Sequence, residues 1–149
     1  MIHRSRLLVG VLAIAGVAGS MAVSGPTSLQ STPATRSPGW TLPADAEDKK
    51  NPLPADAATL ATGKAVFSDK CQRCHGPGGL GDGPDADPDA REGMDLTDPA
   101  RAERNPEGVM FYKVWNGRRG PRMPAFSKEL TEEQAWAVVR YAKSLRRAQ

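Results

Sequence analysis

Two thiols and one imidazole fall within five consecutive residues of this chain, Cys71-Gln72-Arg73-Cys74-His75. These are the only two cysteines among 149 residues, and the other histidine is His3. Two cysteines three apart at the end of a helix can reach the two vinyl groups on one side of a haem, and C-x-x-C-H is the spacing of c-type haem attachment. Each thiol would add across one vinyl group to form a thioether. The imidazole that follows would then lie beneath the iron as its proximal ligand. The prediction is one haem c, attached covalently through Cys71 and Cys74, with His75 on the metal.

Three rival readings are weaker. A thioredoxin-like redox pair requires a strand before the motif and a βαβ pattern around it, and neither is visible. A closed zinc site needs four cysteine or histidine ligands, and His3 is the only further donor of that type. Coincidence must account for five matched positions in a chain with no other cysteine. Nor can two adjacent cysteines form a disulfide framework.

The opposite face of a His-ligated iron calls for a second donor, and methionine thioether stabilises the reduced metal. Met1 and Met21 lie in the N-terminal apolar segment, and Met110 falls in a helical stretch where methionine serves as core filler. Met123 stands in Gly120-Pro121-Arg122-Met123-Pro124, a loop whose prolines would hold the thioether in one direction. It is the first candidate. Met94 is the reserve, read otherwise as a hydrophobic plug, and an open iron is the remaining case.

Three helices are expected to position these groups. The first covers 57–70, with Asp56 as N-cap and Leu60, Ala61, Lys64 and Phe67 at helical spacing. The second covers 106–115, with Asn105 as N-cap, Pro106 in its first turn and Gly117 after its end. The third covers 131–147 and opens on Thr131-Glu132-Glu133-Gln134, a capping-type start. Trp136, Val139 and Ala142, with Val138, Tyr141 and Leu145, then recur at spacings of three and four. Between the first two helices runs a loop rich in Gly, Pro and Asp over 76–99, too long for a compact domain unless it wraps a cofactor. No strand and no repeat is evident. The fold class is all-α.

Ahead of the helices, Arg4 and Arg6 precede an uncharged apolar run over 7–23, and Ala22-Val23-Ser24 offers small residues for cleavage. Residues 1–24 read as a signal peptide or, at 17 apolar residues, an uncleaved membrane anchor. Residues 25–56, rich in Pro, Ala, Ser and Thr, read as a disordered linker spanning on the order of 30 Å. The folded domain is then 57–149, and the expected location is the periplasm, free or tethered to the inner membrane. Charge is unevenly spread. Residues 57–100 hold four basic and eight acidic side chains, whereas 101–149 hold eleven basic and five acidic. The formal net charge of +3 is too small to argue for nucleic acid, and nothing points to a homo-oligomer. The basic half is either solvated surface or a docking face for an acidic redox partner.

With these pieces in order, the chain resembles the class I cytochromes c, in particular the short monohaem bacterial branch of the cytochrome subunits of cbb3-type oxidases. The resemblance covers about 57–145. It rests on Gly63-Lys64-Ala65-Val66-Phe67, Cys71 to Gly76, Gly81-Asp82-Gly83-Pro84, Asp95-Leu96-Thr97, Met123-Pro124-Ala125-Phe126 and Leu130-Thr131 through Tyr141 to Leu145. It implies a small helical fold wrapped round the haem, with first and last helices crossing at Gly63 and Phe67 meeting Val138 and Tyr141. It also implies that a backbone carbonyl near a proline, with Pro84 the candidate, accepts from the second nitrogen of His75. Tyr112 and Trp115 would line the haem pocket. Arg118, Arg119 and Arg122 crowd the approach to Met123, either to favour an acidic partner or to pair with a haem propionate. The function implied is one-electron transfer by a carrier, or by a tethered subunit of an oxidase or dehydrogenase complex. A ligand-binding sensor with an open iron ranks third.

Overall fold

Asp56 is extended (φ −92°, ψ 172°), and its carboxylate accepts from the Thr59 amide at 2.8 Å, which satisfies one of the orphan donors of a helix start. From there α1 runs Ala57–Lys70 with Gly63, Val66 and Phe67 as its buried stripe, over the residues expected. The described residues of this computed structural model are 39–120 and 122–146. The expected export segment and the first part of the expected linker, 25–38, therefore lie outside them.

After α1 the chain makes one further turn, α2, Gln72–His75. The segment 76–99 is more regular than the sequence reading allowed. It contains a 3₁₀ turn, Pro88–Ala90, and a single helical turn, α3, Arg91–Met94, and then leads into α4, Pro99–Glu103. Two Asp-Pro pairs account for this. Asp87 and Asp98 each accept from the amide two residues on, and the proline that follows each is set for the first helical position.

Helix α5 covers Glu107–Asn116. It begins one residue later than expected, because Pro106 is extended and takes the cap position (φ −60°, ψ 165°). Asn105 does not cap it. Its side chain instead donates to the Arg101 carbonyl at 2.6 Å and accepts from Lys113 Nζ. Helix α6 covers Glu132–Ser144, shorter at both ends than expected. Thr131 and Gln134 form a reciprocal capping box, each side chain bonding the other's amide.

The two long helices α1 and α6 cross, and Gly63 is the point of closest approach. A Cβ there would stand 2.1 Å from the Ala137 carbonyl oxygen. Beside the crossing, Phe67 lies 5.3 Å from the Tyr141 ring and shares a buried cluster with Val66, Phe126, Leu130 and Val138. A second cluster gathers Phe111, Ala135, Trp136 and Val139, with Phe111 and Trp136 stacked at 4.2 Å. Among the described residues there are no strands, only isolated bridges at Leu80–Asp95 and Arg118–Met123. The small all-helical architecture is the one expected.

Residues 39–56 differ from the linker reading. Ala46 is 1% exposed. Lys49 lies over the rings of Phe111, Tyr112 and Trp136 at 4.8, 5.0 and 5.8 Å. Asn51 donates to the Trp136 carbonyl at 3.0 Å, and Arg140 donates to the Leu53 carbonyl at 2.6 Å. Glu107 accepts from that same Arg140 at 2.6 Å, which joins α5 and α6 to the strap. A Pro- and Ala-rich composition suggested a coil, yet a few anchoring side chains suffice to seat it across the aromatic cluster.

Candidate functional site

The motif Cys71 to His75 lies in the tight turn where α1 passes into α2, so its cysteines sit one helical turn apart. Neither thiol is in a disulfide, and both are half-buried. Burial, with Cys74 and Asp69 adding to it, pushes the Cys71 thiol up to about 12. A thiol so protonated is not the activated thiolate of a redox pair. Among the described residues no group of three or more His, Cys, Asp or Glu could hold a metal ion.

The loop that follows folds back over the motif and supplies donors to it. Gly81 donates to the His75 carbonyl at 2.8 Å, Gly83 to Cys74 at 3.3 Å and Asp85 to Arg73 at 2.8 Å. The Arg73–Asp85 ion pair at 2.7 Å closes the same loop. Gly83 is required by contact: a Cβ would meet the Arg73 carbonyl oxygen at 2.2 Å. Three carbonyls that a helix end leaves bare are thus bonded, and the histidine's backbone is held.

The imidazole is held as well. His75 Nδ1 donates to the Met94 carbonyl at 2.8 Å. This corrects the expectation for Pro84, which is exposed. Around Pro84 the chain turns its N–H groups, not its carbonyls, toward the motif, so the acceptor comes from the end of α3 instead. Met94 is fixed there by the bridge between Leu80 and Asp95 and by Leu96 donating to Gly79 at 2.7 Å. Burial, and to a lesser degree Arg101, holds the His75 pKa below the ordinary value, against the Met94 bond. The ring is neutral, protonated on Nδ1, and free to offer Nε2.

Met123 sits in the loop after α5, where Arg118 and Met123 exchange both backbone hydrogen bonds at 2.9 and 3.0 Å. It packs against the same buried cluster as Cys71. Tyr112 and Trp115 are placed elsewhere. They pack on the second cluster, where Trp115 stacks with Phe111 at 5.5 Å and the Tyr112 hydroxyl accepts from Lys49 at 3.5 Å. Two open clefts flank the Arg118–Met123 bridge. One of about 530 Å³ is lined by Asp87, Asp89, Glu92, Arg101 and Arg118. The other, of about 510 Å³, is lined by Arg118, Arg119, Arg122, Met123 and Glu129. The donor set fits a haem: two thiols on one turn, an imidazole nitrogen presented by its partner bond, and a thioether on a loop held by a backbone bridge.

Sequence reasoning missed the Met94 carbonyl, because a backbone acceptor has no signature of its own. It also missed Trp40, which lies between Lys113 Nζ at 5.1 Å and the Arg118 guanidinium at 4.7 Å.

Residues 58–141 match the family described as cytochrome C oxidase, cbb3-type, subunit III. Among solved structures, a chain of the Kuenenia stuttgartiensis reducing HAO-like protein complex is similar, at 28% identity and a TM-score of 0.52 over 64% of this chain. The match takes in 47% of that structure's chain, about half its length. The KustC0563 c-type cytochrome is matched over 57% of this chain and 98% of its own, at 22% identity and a TM-score of 0.47.

Proposed function

The chain belongs to the cytochrome C oxidase, cbb3-type, subunit III family, and from that premise we propose that it is a monohaem c-type cytochrome carrying single electrons outside the cytoplasm. The observation that carries this reading is the His75 bond. Its Nδ1 is tied to the Met94 carbonyl at 2.8 Å, so Nε2 is left as a metal ligand beside two thiols of the right spacing. When bound, the haem supplies a one-electron couple between Fe(II) and Fe(III). The chain's part is to hold the ligands still, keep water away and set the local charge. Met123 is the sixth ligand in this reading, because the backbone bridge to Arg118 fixes its loop and its side chain packs on the same buried cluster as Cys71.

Optical spectroscopy tests this. The oxidised, reduced and carbon monoxide-treated protein is compared with Met123→Ala. A low-spin haem c that refuses carbon monoxide, with the sulfur-to-iron band lost only in the variant, is the expected outcome. Carbon monoxide binding by the wild type would overturn His/Met ligation and favour a sensor.

The second reading is a tethered subunit of an oxidase or dehydrogenase complex. The family description names an oxidase subunit, and the similar Kuenenia chain was solved as part of a complex. No helix among the described residues is long and apolar enough to cross a membrane, and in this reading the N-terminal apolar segment serves as the tether. Co-purification of further subunits separates the two readings. In either, Arg119 and Arg122 are exposed beside Met123 and suit an acidic docking surface.

A further inference from the structure

The strap 39–56 begins against the loop that carries Met123. Gly39 has a left-handed backbone (φ 81°), and a Cβ there would stand 3.2 Å from the Gly120 carbonyl oxygen. Trp40 follows, half-buried, with the Arg118 guanidinium over its ring at 4.7 Å and Lys113 Nζ at 5.1 Å. Arg118 is the residue whose backbone bonds Met123 in both directions. Among the described residues, the neighbouring backbone hydrogen bonds run to the end of α5: Gly117 to Lys113, Phe126 to Val114 and Ser127 to Trp115. The loop thus hangs from one helix end, and Trp40 reaches it from a distant part of the chain. The rest of the strap anchors Trp40. Its backbone lies against the start of α5, where a Cβ on Gly108 would meet the Ala46 carbonyl oxygen at 2.2 Å. Beyond it come the contacts of Lys49 with three rings, of Asn51 with the Trp136 carbonyl and of Leu53 with Arg140. Asp56 then caps α1. One segment touches α1, α5, α6 and the Met123 loop.

Local opening of a fold costs only the contacts that the opening breaks. A loop that swings away as a unit keeps its own bridge between Arg118 and Met123, and loses its contacts with the elements it leaves. Trp40 supplies such a contact, a cation over a ring that is partly withdrawn from water. The strap that carries it is held on α5 and α6, so Trp40 does not follow the loop outward. We propose that the strap 39–56 is a brace that keeps the Met123 loop closed, with Trp40 as the positioning residue that holds the thioether in place. Trp40 acts through Arg118 and its backbone bridge, not on the iron. The inference rests on the reading of Met123 as sixth ligand and deepens it. The brace precedes the family match at 58–141, so it belongs to this chain beyond the matched segment.

The test uses the haem-loaded protein, with covalent attachment checked first by mass. Imidazole is titrated into the oxidised protein while the sulfur-to-iron band is followed. Imidazole binds only where the thioether has left, so its apparent affinity reports the open fraction of the loop. Trp40→Leu keeps an apolar side chain but removes the ring face. Its apparent affinity for imidazole is expected to rise roughly tenfold, through loss of a partly desolvated cation–π contact. Trp40→Phe restores a ring and should bind imidazole nearly as weakly as the wild type. Thr131→Ala removes the α6 cap and lowers stability in general, yet should leave the imidazole affinity unchanged. That variant separates a brace on one loop from a loosened fold. Wild-type imidazole affinity in Trp40→Leu, or an equal rise in Thr131→Ala, overturns the inference and leaves the Met123 reading intact. A wild type without the sulfur-to-iron band overturns both.

Discussion

Met94 was the reserve ligand on sequence grounds, and the fold gives it a different duty. It serves through its carbonyl, which accepts from His75, while its side chain is only half-buried. Backbone and side-chain roles separate cleanly under substitution. Met94→Leu keeps the carbonyl and removes the sulfur, so the absorption spectrum and carbon monoxide resistance should match the wild type. A spectral change of the kind expected for Met123→Ala would instead make Met94 the ligand. The two half-buried thiols belong to this scale too. Burial pushes the Cys71 thiol up to about 12, away from the range of an activated thiolate.

The helices show where local sequence suffices and where it does not. Helix α1 and the capping box of α6 were legible because each has an explicit start residue, Asp56 or Thr131, followed by a periodic apolar stripe. Asn105 and Pro106 misled by one residue, because Asn105 was already committed to Arg101 and Lys113 across space. The strap was unreadable for a related reason: its anchors, Lys49 and Asn51, acquire meaning only against rings and carbonyls some 60 to 85 residues away. Pro84 was a plausible partner for His75 by proximity alone, but the direction of the loop's amides decides, and sequence does not record direction. Close helix packing at Gly63 was legible and is testable. Gly63→Ala puts a methyl 2.1 Å from the Ala137 carbonyl, so the crossing must open. Overpacking of this kind costs about 1–3 kcal/mol, part of it offset by the better helix propensity of alanine. A lower midpoint in urea with an unchanged slope is the expected result, and an unchanged midpoint would mean the helices part freely.

Charge is a property of the whole molecule. The acidic stretch 57–100 and the basic stretch 101–149 were legible in composition. In the structure, Arg119 and Arg122 lie exposed on the Met123 loop, while Asp87, Asp89 and Glu92 border the neighbouring cleft. Exposed charges are screened over about 10 Å at 0.1 M salt. Electron transfer with an acidic redox protein should therefore slow by roughly tenfold or more as salt is raised. Arg119→Glu with Arg122→Glu should remove most of that dependence. Stopped-flow rates at several salt concentrations measure both, and a salt-independent rate in the wild type would rule out a basic docking face.

The α1–α6 crossing also dictates an order of events. Its two partners lie at opposite ends of the domain, 57–70 and 132–144, so the central contact cannot form until nearly the whole chain has emerged. In a chain that emerges N-terminus first, Cys71 and Cys74 come out early. They wait as ordinary accessible thiols, before α6 arrives to bury Phe67 and its neighbours. The closing of this core is thereby postponed until after both thiols have emerged, because the late helix must arrive before the crossing can form.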